Sequence, residues 1–473
     1  MQVNSSIFRG YDVRGIVGQD LSPELLYHFG RAYGTYLQKR NMKNAIVGHD
    51  CRATSRQYSD SFIKGLIETG IDVTDIGLTM IGIFYWSQHH LNIPGGAFIT
   101  ASHNPAEYNG LKIAAGLSET LVTDGIEELK SLIESENYFQ SQVSGKIIVV
   151  DINPEYSKTV LSKFSNFKPL KVLIDSSFAT AGVIVPPILR QAGFEVVEKN
   201  THIDPSFPLG TPDPTELNVA QRLSEEVLEA GADVGFTYDA DGDRIGIVDE
   251  KGGIIWNDVL LAIFAKDVLH YHPGSKIMYN LLCSRVVEDT IKNNGGEPFI
   301  WRTGHSFLKK KNQEVKAAFI GELSGHFFFS ADFYNHDDGV YSTLRLLDYL
   351  SRTNQRLSQA VTTLPQYISS PEIKVGAAED KKVALMDKIS QVLKSDYPDA
   401  EVIDDERAGD GVRLNLADGM FVIRYSQNGP YMTIKFEATN EEKYGELKSY
   451  VNKLLHSYSE VDWTFGANLE SLE

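Results

Sequence analysis

One feature constrains this chain more than any other. Short apolar runs of strand length alternate with amphipathic stretches of helix length almost from end to end. Runs at 45–47, 96–100, 171–175, 233–238, 244–249, 276–280 and 317–321 read as buried strands. The segments 23–38, 56–68, 125–134, 219–230, 259–269 and 285–293 have the spacing of helices with one apolar face. Strand, helix, strand in this rhythm predicts α/β units with mostly buried sheets. From about residue 370 the rhythm changes. Strand-like runs at 411–416, 419–425 and 431–437 follow one another, and a helix begins at 441, which predicts an α+β unit. No repeat of constant period and no low-complexity segment interrupts the pattern. At 473 residues there is room for three or four domains of roughly 150 residues each. A polar stretch at 137–146, a glycine-bearing turn at 249–253 and a proline–serine segment at 364–372 mark the joints.

Charge narrows the partners. With 45 Lys and Arg against 63 Asp and Glu, the net charge is −18. That disfavours nucleic acid or an anionic membrane as the main partner. It also requires that cations be gathered locally wherever an anionic ligand binds. No run approaches the roughly 18 apolar residues of a membrane span. The first twenty residues carry Arg9, Asp12 and Arg14 without an apolar core, so no signal peptide is expected. Two cysteines, Cys51 and Cys283, support neither a disulfide framework nor a cysteine zinc site. A soluble cytoplasmic protein is the expectation; the oligomeric state is left open.

Polar clusters follow several of the apolar runs, and carboxyl ends of strands are where α/β sheets bind ligands. Thr100-Ala101-Ser102-His103-Asn104-Pro105 offers a serine nucleophile beside a histidine, although the same residues make good turns. Asp239-Ala240-Asp241-Gly242-Asp243-Arg244 places three carboxylates at alternate positions. Without a cation, like charges that close raise one another's pKa, and an all-oxygen set suits Mg²⁺ or Ca²⁺. An EF-hand reading matches Asp239, Asp241, Asp243 and Glu250 but meets Arg244 where the loop needs glycine. A phosphatase with an aspartate nucleophile in this loop is a second rival. Gly321-Glu322-Leu323-Ser324-Gly325-His326 suits sugar hydroxyls, and Arg424-Tyr425-Ser426-Gln427-Asn428-Gly429-Pro430 suits a phosphate.

In this order and spacing the clusters resemble the α-D-phosphohexomutases, and within them the phosphomannomutase/phosphoglucomutase group. The resemblance also takes in Phe8 to Gly15, Tyr108 to Lys112 and Arg302-Thr303-Gly304-His305, and so covers essentially the whole chain. It implies three similar mixed-sheet α/β domains and a smaller C-terminal α+β domain around a central cleft. The expected ranges are 1–147, carrying the phosphoserine; 148–252, the metal loop; 253–367, the sugar-binding loop; and 368–473, the phosphate-binding domain. Ser102 would be the phosphoserine. Asp239, Asp241 and Asp243 would hold Mg²⁺, with a phosphoserine oxygen completing the site. Arg244 would face the transferring phosphoryl group, Lys112 and Arg14 would sit near the reacting oxygens, and His326 would be a further acid/base. Glu322 and Ser324 would bind sugar hydroxyls. Tyr11, Thr303, Gly304, His305, Arg424, Ser426 and Asn428 would line the site and grip the non-reacting phosphate.

The implied reaction is a reversible exchange between hexose 1-phosphate and hexose 6-phosphate, of mannose, glucose or both. A hexose 1,6-bisphosphate is the intermediate, and glucose or mannose 1,6-bisphosphate the activator. The matched motifs supply the gathered cations that the acidic composition demands: Arg9, Arg14, Lys112, Arg244, Arg302 and Arg424. A phosphatase and a non-catalytic sugar-phosphate binder are the alternatives. Three departures bear on the phosphate grip. Asn428 and Gly429 stand where threonine and a glutamate or threonine are usual, and Leu282 stands where many relatives carry a basic residue. Arg285 and Arg302 are the candidates to replace that charge.

Overall fold

The computed structural model describes every residue except Gln2, Gln427, Asn428 and Glu473. Local signals account for many of its elements. The helix Pro23–Lys39 begins at Ser22, whose hydroxyl accepts the Leu25 N–H, has proline at its first position and ends with Lys39 in its last turn. It packs on the helix Ser55–Glu68, where Gly30 meets the Phe62 carbonyl and Gly65 the Tyr27 carbonyl, with no room for a Cβ.

The strands form four sheets. The first contains β1 (Val13–Ile16), β2 (Asn44–His49), β3 (Asp72–Leu78), β4 (Gly95–Ile99), β5 (Tyr108–Gly116), β6 (Glu119–Thr120) and β7 (Ile147–Val149). Its order is β1-β5-β4-β2-β3-β7, with β6 on β5. The second contains β8 (Lys171–Asp175), β9 (Glu195–Lys199), β10 (Val234–Tyr238), β11 (Ile245–Asp249) and β12 (Ile254–Ile255), in the order β12-β11-β10-β8-β9. The third contains β13 (Lys276–Asn280), β14 (Glu297–Trp301), β15 (Phe319–Gly321) and β16 (Phe327–Phe328), in the order β14-β13-β15-β16.

These three sheets repeat one pattern. Three parallel strands, β4-β2-β3, β10-β8-β9 and β15-β13-β14, are each followed at one side by an antiparallel neighbour, β5, β11 and β16. The chain leaves the middle strand toward one side and returns on the other, which opens a crevice at the carboxyl ends of the two strands where the direction reverses. The registers make the three crevices comparable residue by residue. His49 faces Ile99, Asp175 faces Thr237 and Tyr279 faces Gly321. Carrying the first and third pairings one residue further sets Asp50, Asp175 and Asn280 opposite Thr100, Thr237 and Glu322. Ser102, Asp239 and Ser324 then stand at one equivalent place, two residues on. A repeat invisible in the sequence is thus present in the topology.

The fourth sheet is antiparallel. It contains β17 (Ile368–Ser369), β18 (Ile373–Ala377), β19 (Glu401–Ile403), β20 (Gly411–Asn415), β21 (Gly419–Tyr425), β22 (Tyr431–Ala438) and β23 (Val461–Ala467), in the order β19-β20-β21-β22-β18-β23 with β17 on β22. Ile434, Phe436, Phe421 and Ile423 face the helices Lys382–Asp396 and Glu441–His456 through Leu385, Ile389, Leu447 and Val451. The opposite face carries Arg413, Arg424, Thr433, Lys435 and Glu437, all buried.

The chain divides into two compact units. Residues 1–214, 219–254 and 333–357 form the first, with the first two sheets as far as Ile254; residues 215–218, 255–332 and 358–473 form the second. No helix among the described residues is long and apolar enough to cross a membrane.

Candidate active site

In the first unit the serine and the acidic loop meet. Beyond β4, Thr100 Oγ1 accepts the Ser102 N–H at 2.8 Å and donates to Asp241 Oδ2 at 3.1 Å. Ser102 is buried, with a φ of 46°. This left-handed backbone costs a non-glycine residue about 1 kcal/mol or more. Its hydroxyl donates to Asp239 Oδ2 at 2.7 Å and lies 3.2 Å from His103 Nδ1. The side chain points inward, at the acidic loop.

That loop connects β10 to β11, two antiparallel strands, so the helix–loop–helix calcium reading falls. Gly242 turns it at a φ of 73°. Asp239, Asp241 and Asp243 are buried, and one oxygen from each lies within 4.8 Å of the others. Lys112, from β5, sets its ammonium 2.9 Å from Asp241 and 2.6 Å from Asp243. Burial, and the charges of Asp243 and Asp241, hold the Asp239 carboxyl well above the usual carboxylate range. Burial pushes Asp241 the same way, but Lys112 outweighs it and keeps Asp241 ionised. Burial likewise opposes the charge on Lys112, and Asp241 and Asp243 overcome it, so its pKa is raised. Asp241 Oδ1 is buried and, among the described residues, accepts no hydrogen bond. An oxygen-only set with such an orphaned atom, and an Asp239 carboxyl pushed above the usual range for want of positive charge, fits a hard divalent cation.

Two arginines flank this centre. Arg14 Nε pairs with Asp12 at 2.8 Å, and its Nη1 donates to the Ala101 carbonyl and, at 2.7 Å, to Asn104 Oδ1. The Arg244 N–H donates to Asp239 Oδ1 at 3.2 Å, and its guanidinium lies 3.9 Å from Asp213 and 4.0 Å from Asp239. Tyr11 is close enough to act electrostatically on both. Burial opposes the charge of both arginines; Asp12 and Asp241 restore it on Arg14, and Asp213 and Asp239 on Arg244.

In the second unit, Glu322 Oε1 accepts the Gly304 N–H at 2.9 Å, and the Glu322 N–H donates to the His326 carbonyl at 3.0 Å. The His305 and His326 rings stack at 4.9 Å and 12°. Asn280 ties the loops together: its Oδ1 accepts the Leu323 N–H at 3.0 Å, and its Nδ2 donates to Thr303 Oγ1 at 3.2 Å. Ser324 is half-buried beside them. On the fourth sheet Arg424 is held bidentately by Asp410, at 2.8 and 2.5 Å. Lys382 reaches under the adjoining loop, donating to the carbonyls of Ser426 at 2.5 Å and Gly429 at 3.2 Å. Asn428 lies outside the described residues.

The two candidates to replace the charge missing at Leu282 separate cleanly. Arg285 is committed elsewhere: Nη1 donates to the Leu416 carbonyl at 2.8 Å and its N–H to Glu437 at 2.7 Å. Arg302 stacks over Phe307 at 4.1 Å, packs against Gly409 and acts electrostatically on Tyr425, and among the described residues it forms no ion pair. Sequence reasoning missed Asp12, Arg52, Asn280, Lys382 and Asp410. Only Asp12, two residues before Arg14 and paired with it, left a local signal.

Known proteins match the chain along most of its length. Residues 5–139, 154–253 and 256–367 match the phosphoglucomutase/phosphomannomutase α/β/α domains I, II and III respectively. The phosphomannomutase/phosphoglucomutase of Pseudomonas aeruginosa is 36% identical over 445 residues, 94% of each chain. The phosphoglucomutase of Neisseria meningitidis serogroup A is 31% identical over 97% of this chain and 98% of its own. The crystal structure of a phosphoglucomutase/phosphomannomutase family protein from Burkholderia thailandensis superposes with a TM-score of 0.88 at 30% identity, over 96% of this chain and 98% of that one.

Proposed function

The chain belongs to the phosphoglucomutase/phosphomannomutase family, and from that premise we propose that it interconverts the 1- and 6-phosphates of mannose and glucose through a phosphorylated Ser102. The observation that carries the assignment of Ser102 is its 2.7 Å hydrogen bond to Asp239. A hydroxyl at the crevice of one sheet is delivered to the acidic loop of the next.

In this reading the first two domain boundaries follow β7 and β12 rather than residues 147 and 252, so that each sheet is whole. Asp239, Asp241 and Asp243, with a phosphoserine oxygen, would hold Mg²⁺, which offsets the phosphoserine charge and polarises its phosphorus. A free hydroxyl of the hexose monophosphate attacks that phosphorus. The bond from phosphorus to Ser102 Oγ breaks as the bond to the sugar oxygen forms. The hydroxyl proton passes to the protein, and Oγ is later reprotonated when the serine is left free. Lys112, held charged by two carboxylates, serves as a cation rather than a base, and His326 is the acid/base candidate. Arg14 and Arg244 stay charged and stabilise the spread charge of a loose transition state. Glu322 and Ser324 bind sugar hydroxyls, with Tyr11, Thr303, Gly304 and His305 contributing to the lining. Arg424, Ser426 and Asn428 grip the non-reacting phosphate. Glucose or mannose 1,6-bisphosphate forms as the intermediate, turns round and returns its other phosphoryl group to Ser102; supplied from outside, it primes the enzyme.

Glu322 and Ser324 are read as binding O3 and O4, which mannose and glucose share. The C2 hydroxyl, where the two sugars differ, then meets no group built to sense it, and discrimination stays small. Two measurements test the function. Intact-protein mass should rise by one phosphoryl group on incubation with glucose 1,6-bisphosphate, and the gain should vanish in Ser102→Ala. Coupled assays on the 1-phosphates of mannose, glucose, glucosamine and N-acetylglucosamine should show turnover of the first two with kcat/KM within about a thousandfold of each other. No phosphoryl exchange at Ser102 overturns the reading; a larger ratio means that C2 is read directly.

A further inference from the structure

We infer that Arg52 is a positioning residue for phosphoryl transfer, holding the loop 102–108 in the shape that presents the Ser102 hydroxyl to Asp239. The inference rests on the reading of Ser102 as phosphoryl carrier. Arg52 follows β2, on the far side of the crevice from the loop after β4, and is only 3% exposed. Its Nη1 donates to the carbonyls of Pro105 at 2.7 Å and Tyr108 at 3.0 Å. Its Nη2 donates to those of Ser102 at 2.7 Å and Asn104 at 2.5 Å. All four Nη protons therefore go to one loop. Asp50 supplies the counter-charge, with Oδ2 3.3 Å from Nε, and is itself anchored by the Ser55 hydroxyl and the Arg52 N–H at 2.5 and 3.0 Å. The ring of Phe207 covers the guanidinium at 5.2 Å.

A guanidinium so buried, with its charge paired and its Nη donors spent, is not offered to substrate. What it controls is the loop. Ser102 sits in a left-handed conformation, which persists only where the surroundings over-determine it. The four carbonyls converge on Arg52, and without it the carbonyl of the buried Ser102 would lose this donor. A lysine could not substitute, since one ammonium cannot reproduce a planar four-way grip. At the equivalent place, two residues beyond Asp175 and Asn280, the other two sheets carry Ser177 and Leu282. The clamp belongs to the copy that carries the serine.

The test compares Arg52→Ala and Arg52→Lys with wild type in the full-length protein, by thermal melting, mutase kinetics and phosphoryl uptake from glucose 1,6-bisphosphate. A loop displaced by about 1 Å should lower kcat at least about a hundredfold while KM stays within about threefold. Methylguanidinium, at a concentration that leaves the melting curve unchanged, should restore at least about tenfold of the activity lost in Arg52→Ala and none in Ser102→Ala. Either variant, folded and with kcat within about threefold of wild type, overturns the inference; so does a folded Arg52→Ala that the guanidinium does not rescue. If Arg52→Ala fails to fold, Arg52→Lys carries the test on the split between kcat and KM. Wild type assayed alongside separates the two failures. A wild type that exchanges no phosphate sinks the mutase reading, whereas an active wild type matched by Arg52→Lys sinks only the role of Arg52.

Discussion

Ser102 combines chemical exposure to a partner with physical burial. Its hydroxyl has two neighbours, Asp239 and His103, and its backbone is held in a conformation it would not choose. Ser102→Ala should lower turnover by several orders of magnitude, and melting should show a fold that survives, since one lost hydrogen bond costs about 1 kcal/mol. Near-normal activity, free of wild-type contamination, would remove Ser102 as the carrier. The phosphate grip makes a second prediction. Arg424 spends two of its nitrogens on Asp410, whereas Arg302 has no carboxylate to neutralise it among the described residues. A charge-assisted hydrogen bond contributes about 1.5–3 kcal/mol, so Arg302→Ala should raise KM roughly ten- to a hundredfold, and Leu282→Lys should partly restore it. An unchanged KM would mean that Arg302 serves the fold alone. The residues legible in the sequence were those lying contiguously after a strand: Ser102, the three aspartates and Glu322. Asp410 stands fourteen residues from Arg424, and Arg52 fifty from Ser102, and no local pattern announces a contact made by folding.

At the scale of elements, periodicity revealed helices with one wet face and hid the others. Ile81–Leu91 is buried from Ile81 through Gln88, so it has no polar stripe to betray it. Ala181–Gln191 contains Pro186 and Pro187, which local rules read as a stop. Gly339–Thr353 is another helix that the pattern did not expose, and its cap titrates. Asp338 accepts the Tyr341 N–H at 2.9 Å and the Tyr156 hydroxyl at 2.7 Å, yet burial raises its carboxyl from 3.8 to about 6. The folded value lies above the unfolded one. Its stabilising contribution is therefore complete below about pH 4 and is lost as pH rises through about 6, where the native protein must ionise a buried acid. A shift of about two units is worth on the order of 2–3 kcal/mol. Asparagine still accepts both hydrogen bonds without the charge, so Asp338→Asn should flatten the stability curve between about pH 4 and 6 in denaturant titrations. Parallel curves for the two proteins would show that Asp338 does not titrate in the native state.

At the scale of the molecule, the first unit contains a cluster that is short of positive charge. Adding Mg²⁺ should raise its melting temperature, by about 2.7 kcal/mol of stability at a hundredfold excess over Kd, and EDTA should abolish mutase activity. Asp241→Asn should cost far more activity than stability. Full turnover in chelator would refute the metal assignment, and a specific need for Ca²⁺ would change its identity. The threefold pattern of the sheets was not legible as a repeat, because what recurs is register rather than residue type. Ser102, Asp239 and Ser324 share a position but not one residue type, and so do Asp50, Asp175 and Asn280. In the language of descent, the geometry behaves as the inherited trait and the side chain as the acquired one. On the proposed function, one crevice shape carries a nucleophile, a cation ligand and a hydroxyl binder at one place, and a search for ancestry among such proteins should align crevices before it aligns letters.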